Sequence, residues 1–391
     1  YSLITQCNEV ITKYGESTEP EIIQYVAEAR FWRAFSYDKL YHLFGTVPLV
    51  TGSQDIKNGI ARASQEEMES FIETELADVE KVLPETYSST DYGRPTSWAV
   101  KATLARYYLN KKDWKKASIY AKEIIDKGGF NLVDYQDIFS KNQNDEVILA
   151  INHIAEANHG NKYVALVLEA SIRDALGITG VSASNGYGMA VPFFRTFDPD
   201  DKRITPYNPA TGKGIAVSGI VYKSDGTPVY GTPEEPKSVE EQLSRILTFK
   251  WEVQTNIPLG EDASLNVPAL RLGEVMLTYA EAENELGHLE EAKTYVDKIR
   301  SRAGLENLPA NLNMASMRDA ILDERGWELY HEGYRREDLV RHGKLLEKVN
   351  EKYHYYFGKD MPWKNNNDRI LQPIPTNALL LNPLLKQNPG Y

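Results

Sequence analysis

Glu324, Glu328 and Glu332 recur every fourth residue within DERGWELYHEGYRREDLVRHGK (323–344), with Arg325, Arg335, Arg336 and Arg341 close by. Carboxylates at that spacing fall on one face of a helix. Two of them converging in a cleft could do general acid/base work, glycoside hydrolysis in particular. The same spacing, interleaved with arginines, also describes an ion-pair network tying adjacent helices together, and such networks imitate active sites. The network is the preferred reading because no other catalytic part accompanies the carboxylates. There is no G-x-S-x-G, no H-E-x-x-H and no glycine pattern for phosphate or dinucleotide. His331-Glu332 lacks a second histidine, and the 7 histidines show no metal-ligand spacing. FDPDDKR (197–203) is rich in aspartate but lacks the glycine and downstream glutamate of a calcium loop. It reads as a turn carrying an Asp–Arg ion pair, with a bound metal as the lesser alternative. No catalytic residue, metal ligand or cofactor is assigned.

Binding chemistry is better represented. Sugars present C–H faces that stack on tyrosine and tryptophan, while amides and acids bond their hydroxyls. The informative aromatics are those outside periodic helices: Tyr187 beside Asn185, then Tyr207, Tyr222, Tyr230 and Trp251. Trp363 follows, next to Lys364 and the run Asn365 to Asn367. These are the candidate ligand contacts. Trp32, Trp98, Trp114 and Trp327 lie in helical patterns or at a helix start and are assigned to packing.

Composition narrows the classes further. The chain has 391 residues, 42% hydrophobic and 26% charged, enough to bury a sizeable core. A net charge of -12 argues against a nucleic-acid partner, which needs a basic face. A lone cysteine, Cys7, excludes an internal disulfide and a cysteine-based zinc site. It sits at helical spacing with Leu3, Ile4 and Val10 and reads as a small buried hydrophobe. No run approaches the ~18 apolar residues of a membrane helix. Tyr1 opens inside a helical pattern with no signal peptide, so a preceding segment is expected.

The elements that must position these residues are mostly helices. PALRLGEVMLTYAEAENELGHLEEAKTYVDKIRSRAGL (268–305) reads as two helices with a break at Gly287-His288. Ala280 and Ala292 allow a close antiparallel approach, the logic of a tetratricopeptide-type hairpin. Ala105 and Ala117 repeat that interval within RPTSWAVKATLARYYLNKKDWKKASIYAKEIID. Further helices are expected over 1–15, from Pro20 to Phe44, from Gln65 to Leu83 with Ser64 and Glu67 spaced as a capping box, and from Met314 to Val349. Between about 128 and 267 helical periodicity is lost. EVILAIN (146–152) reads as a strand, Asp225-Gly226 as a hairpin turn, and Ser244 to Trp251 as a further extended piece. The division is therefore helical hairpins over 1–127, an irregular insert with the ligand site over 128–267, hairpins again over 268–350, and an extended tail over 351–391 anchored by Leu379 to Leu385.

Six stretches together resemble one known family, the SusD-like (RagB/SusD) nutrient-binding proteins. They are AEARFWRAFSYDKLYHLFGTVPLV (27–50), RPTSWAVKATLARYYL (94–109), FDPDDKR (197–203), LRLGEVMLTYAEAENELG (270–287), the charged run 323–344 and LQPIPTNALLLNPLLKQNPGY (371–391). The resemblance implies a mainly α fold, four tetratricopeptide-like hairpins in an α-α superhelix, with an irregular loop and short-strand insertion. It also implies a lipid-anchored, non-enzymatic cell-surface protein of the outer membrane that binds glycan or oligosaccharide and hands it to a SusC-like TonB-dependent transporter. Cys7, preceded by Ile4-Thr5-Gln6, is not a lipobox cysteine, so the anchor is expected outside these residues. A helical-repeat protein that binds peptides or a protein partner is the alternative, and a helical glycosidase is a further rival.

Overall fold

A computed structural model describes residues 1–52, 58–156, 159–168, 173–174, 182–184, 187–204, 221–222, 228–230, 250–252, 254 and 263–391. Residues 164, 221–222 and 228–230 are described by backbone alone.

The scaffold is a run of packed helices: α1 (Ser2–Tyr14), α2 (Pro20–Phe44), α3 (Gln65–Glu80), α4 (Ser97–Asn110) and α5 (Trp114–Lys127). Each packs on the next, and the C-terminal hairpin continues the stack with α6 (Leu272–Glu285) and α7 (Leu289–Arg302). α8 (Met314–Glu328), α9 (Arg335–Arg341) and α10 (Leu345–Phe357) follow. Local signals fix several of these boundaries. Pro20 is pre-organised for the first turn of α2. Ser64 accepts from the Glu67 amide at 3.1 Å, and Glu67 accepts from the Ser64 amide at 2.7 Å, closing the capping box of α3.

α6 is the centre of the molecule. It packs on α4, α5, α7 and α8, and every residue from Leu272 to Asn284 is buried. Ala105, Ala117, Ala280 and Ala292 sit in one continuous core, none more than 1% exposed, and the two equally spaced hairpins meet where α6 packs on α4 and α5. Because α6 is buried all round, its polar side chains need protein partners. Glu281 receives Arg341, and Glu283 receives Ser118 and His288.

Three elements differ from the sequence expectation. Val267–Arg271 is not helix but a strand, β4, pairing antiparallel with β1 (Val147–Ile151). The helix starts only at Leu272, since Pro268, which imitates a helix start, lies in the strand. Met314 to Val349 is broken twice, where His331, Gly333 and Gly343 adopt left-handed backbone (φ 60, 88 and 68°). In the tail, Leu380, Leu381 and Leu384 are 76, 84 and 50% exposed and anchor nothing. The tail is held instead by buried Ile374 and by Asn388, whose amide donates to the carbonyls of Phe44 and Gln372. Two short strands, β2 (Val221–Tyr222) and β3 (Pro228–Tyr230), pair antiparallel around the Asp225-Gly226 stretch, which lies outside the described residues.

Candidate functional site

The carboxylates that could do acid/base chemistry are all engaged. Glu328 is fully buried at the end of α8 and meets three guanidiniums: Arg203 at 3.2 Å, Arg271 at 2.5 Å, and Arg302. Glu324 takes Arg203 at 2.6 Å and Arg300 at 3.1 Å, and Glu332 takes Arg271 at 2.7 Å and Lys250 at 2.6 Å. Glu146 and Asp201 complete the cluster through Arg271, Arg302 and Arg203. Five carboxylates thus face five cations. Burial pushes the Glu328 carboxyl up, but Arg302, Arg271 and Arg203 outweigh it and hold it well below the usual range. Glu332 is also lowered, burial being overcome by Arg271 and Lys250. A general acid for glycoside cleavage needs a raised pKa, and these two shifts run the other way. The cluster clamps Glu146, Arg203 and Lys250 of the 128–267 segment to the helical scaffold. The turn FDPDDKR contributes its ion pair here, Asp201 to Arg203 at 2.7 Å.

Under that clamp lies a second apolar core. Trp251, expected among the ligand contacts, belongs to it and departs from that role: it is 2% exposed, edge-on to Phe139 with centroids 5.2 Å apart, and 4.2 Å from the Tyr163 ring. The adjacent Lys250, drawn inward by Glu332 and the Tyr330 carbonyl, carries the tryptophan with it. Burial brings the Lys250 ammonium down to about 8, with Glu332 opposing. Tyr163 also meets His331, whose imidazole stacks on Tyr330 with centroids 4.1 Å apart.

The other candidates divide. Tyr187 is 57% exposed, and its backbone amide donates to the Leu166 carbonyl at 3.1 Å. Trp363 is 38% exposed, with the Arg369 guanidinium 6.0 Å from its ring. The asparagine run beside it lines a cleft of about 470 Å³. The cleft is lined by apolar Leu339, Leu345, Leu346 and Ile370 together with polar Glu347, Asn350, Lys364, Asn365 and Asn367. A lining that mixes apolar side chains with amides suits a ligand with C–H faces and hydroxyls. Tyr222 and Tyr230 sit on the paired strands β2 and β3. Asn185 and Tyr207 lie outside the described residues. Asn350 was missed from sequence because it reads as one more polar position of an amphipathic helix; its spacing of four from Leu346 was the available signal. Among the described residues no cluster of histidine, cysteine, aspartate or glutamate could hold a metal ion, and no helix is long and apolar enough to cross a membrane.

Comparison with known proteins covers both ends of the chain. A family profile described as "SusD family" matches residues 217–391, and one described as "Starch-binding associating with outer membrane" matches residues 1–109. The chain is similar to SusD-like protein P25 of Formosa agariphila, 25% identical, with 96% of this chain and 74% of the relative covered. It is also similar to the starch-binding protein SusD of Bacteroides thetaiotaomicron, 24% identical over 99% of this chain and 76% of the relative. Among solved structures, surface glycan-binding protein A from Bacteroides uniformis superposes with a TM-score of 0.76 at 24% identity, covering 98% of this chain and 82% of that one.

Proposed function

The chain belongs to the SusD-like family, matched at both its N- and C-terminal parts, and from that premise we propose a non-catalytic, cell-surface glycan-binding protein. It captures oligosaccharide at the outer membrane, where a lipid anchor holds it, and delivers the ligand to a SusC-like TonB-dependent transporter. The carrying observation is the likeness over 99% of the chain to a protein named for binding starch. A surface glycan-binding protein of Bacteroides uniformis and a laminarin-binding SusD-like protein, both of the same fold, support the ligand class.

The physical mechanism is capture without a covalent step. Tyr187 offers a ring face for stacking, and exposed Trp363 lies next in sequence to the cleft lined by Asn365 and Asn367. Asn185, Tyr207, Tyr222 and Tyr230 belong to the same proposed ligand surface of the insert. Shallow polar sites of this kind bind with dissociation constants of about 1 μM to 1 mM. The scaffold beneath is fixed by the buried ion clamp, so little ordering cost is added on binding.

Affinity electrophoresis through gels containing plant, microbial and host glycans tests the proposal. Retardation by at least one polysaccharide, reduced by Tyr187→Ala or Trp363→Ala but not by Trp251→Phe, is expected. No retardation by any glycan, with saturable binding of peptides instead, overturns it.

A further inference from the structure

The last turn of α2 is a socket for distant parts of the chain. Terminal carbonyls of a helix have no partner within it, and here each is met from far away in sequence. Arg336 of α9 donates to the His42 carbonyl at 2.8 Å, and the Gln372 amide donates to that of Leu43 at 2.8 Å. Arg62 and Asn388 donate to that of Phe44, at 2.9 and 3.0 Å. Both α9 and the tail therefore dock on these three residues.

The side chain of His42 is titratable and lies between two carboxylates. Its Nε2 is 3.1 Å from Asp38 Oδ1, one turn earlier on α2. Asp38 is wholly buried, and apart from His42 neither of its oxygens meets a hydrogen-bond donor among the described residues. Arg106 of α4 feels the Asp38 charge without bonding it. From α9, Glu337 faces the ring, its own oxygens taking Lys39 at 2.8 Å and Asn110 at 3.0 Å. Lys39 opposes a charge on His42, Arg336 meets its backbone carbonyl, and the Tyr41 ring lies 6.0 Å away. The tail neighbours Ile370 and Gln372 are uncharged.

One proton changes the partner of Nε2. Asn110 is oriented by Arg341, whose Nη1 donates to its Oδ1 at 2.6 Å, so its Nδ2 serves Glu337 and lies 3.3 Å from His42 Nε2. A neutral ring with its proton on Nδ1 accepts there from Asn110, and the buried Asp38 carboxylate is left without a donor. The imidazolium donates from Nε2 to Asp38 instead, and its charge also suits the C-terminal end of a helix. Burial lowers the His42 pKa, but Asp38 and Glu337 outweigh it and raise it on balance. The ring is 18% exposed, so solvent protons reach it.

We propose that His42 is a proton-operated latch: as the imidazolium it fastens the last turn of α2, and with it α9 and the tail, and as the neutral ring it loosens that joint. The folded pKa being raised, the contribution is complete below the ordinary histidine value of 6.5 and is lost as pH rises through the folded one. The joint is tighter in mildly acid solution and looser in alkaline solution, whether or not the insert binds glycan.

Two measurements on the full chain test this. Histidine ring resonances are followed by NMR from about pH 5 to 9; the His42 ring is expected to titrate above 6.5, and Asp38→Asn to move it down. Hydrogen exchange is read by mass spectrometry as protection factors, which remove the intrinsic pH dependence of exchange. Protection over residues 40–44 and 370–391 is expected to fall as pH rises from about 6 to 8.5, and His42→Gln to abolish that dependence. Lys250, brought down to about 8, titrates in the same range but is common to wild type and variant. A His42 ring titrating at or below 6.5, or one indifferent to Asp38→Asn, overturns the proposal. So does tail protection that ignores pH, or an identical loss in His42→Gln. The ring titration decides even where His42→Gln does not fold.

Discussion

Glu328→Gln asks whether the buried carboxylates are a clamp or a reaction centre. The substitution keeps the size of the side chain and removes one charge from beneath Arg203, Arg271 and Arg302. Those guanidiniums are almost wholly buried, so the lost partner is not replaced by water. Removing one member of such a buried network costs about 3–5 kcal/mol, because an uncompensated charge is left behind. At about 2.1 cal/mol/K of unfolding entropy per residue, a chain of this length loses about 5 °C of melting temperature for 4 kcal/mol. Differential scanning calorimetry at pH 7 measures it, with exposed Glu347→Gln as the control expected to change little. The pH dependence supplies a second reading. The folded Glu328 carboxyl is held below the unfolded value, so its contribution is complete above the ordinary glutamate pKa and is lost as pH falls below it. The gap between wild type and variant is therefore constant from pH 7 to 5 and narrows below about 4. A fall of less than about 1 °C at pH 7 refutes the clamp. So does glycan cleavage by the wild type that disappears in a variant of normal stability.

Further expectations follow from other residues. Burial, with Lys250 second, brings His331 down to about 4 from 6.5, so the unfolded ring binds a proton between those values and the folded ring does not. Acidification across that window removes on the order of 2–3 kcal/mol; His331→Asn, which tolerates φ 60°, flattens that limb of a urea-denaturation series. A methyl at Gly273 would lie 2.5 Å from Arg271 Nη1 and 2.9 Å from Glu146 Oε1. Gly273→Ala is therefore expected to destabilise by about 1–3 kcal/mol despite its better helix propensity, and a thermal melt that rises instead contradicts the packing described. Tyr187→Ala and Trp363→Ala are each expected to weaken glycan binding by about 1–2 kcal/mol with unchanged melting, read by calorimetry.

The helical scaffold was legible because its signals are local. The Ser64–Glu67 box, the Ala105/Ala117 and Ala280/Ala292 intervals and the EVILAIN strand each depend on residues close in sequence, and each took its expected form. The ion pair in FDPDDKR was legible for the same reason. Its further partners, Glu324 and Glu328, were not, since they lie over a hundred positions away. Strand β4 was hidden because Val267–Arg271 contains Pro268 and pairs only with the distant β1. Trp251 was misplaced because nothing next to it tells a loop tryptophan from a core one; the inward pull comes from Glu332, which ties down Lys250. The exposed Leu380 and Leu381 show the converse, since apolar residues in a Pro- and Asn-rich tail resemble anchors whether or not a groove receives them. Tyr187 and Trp363 were named from composition and context alone, and their exposure keeps them as candidates.

The central claim, capture of glycan without chemistry, is tested most directly by titrating an oligosaccharide of whichever polysaccharide retards the protein, then recovering the ligand and analysing it by chromatography. The account predicts saturable heat, weakened by Tyr187→Ala or Trp363→Ala, and an oligosaccharide recovered intact with no new reducing ends. Absence of binding, or recovery of shortened products, would contradict it.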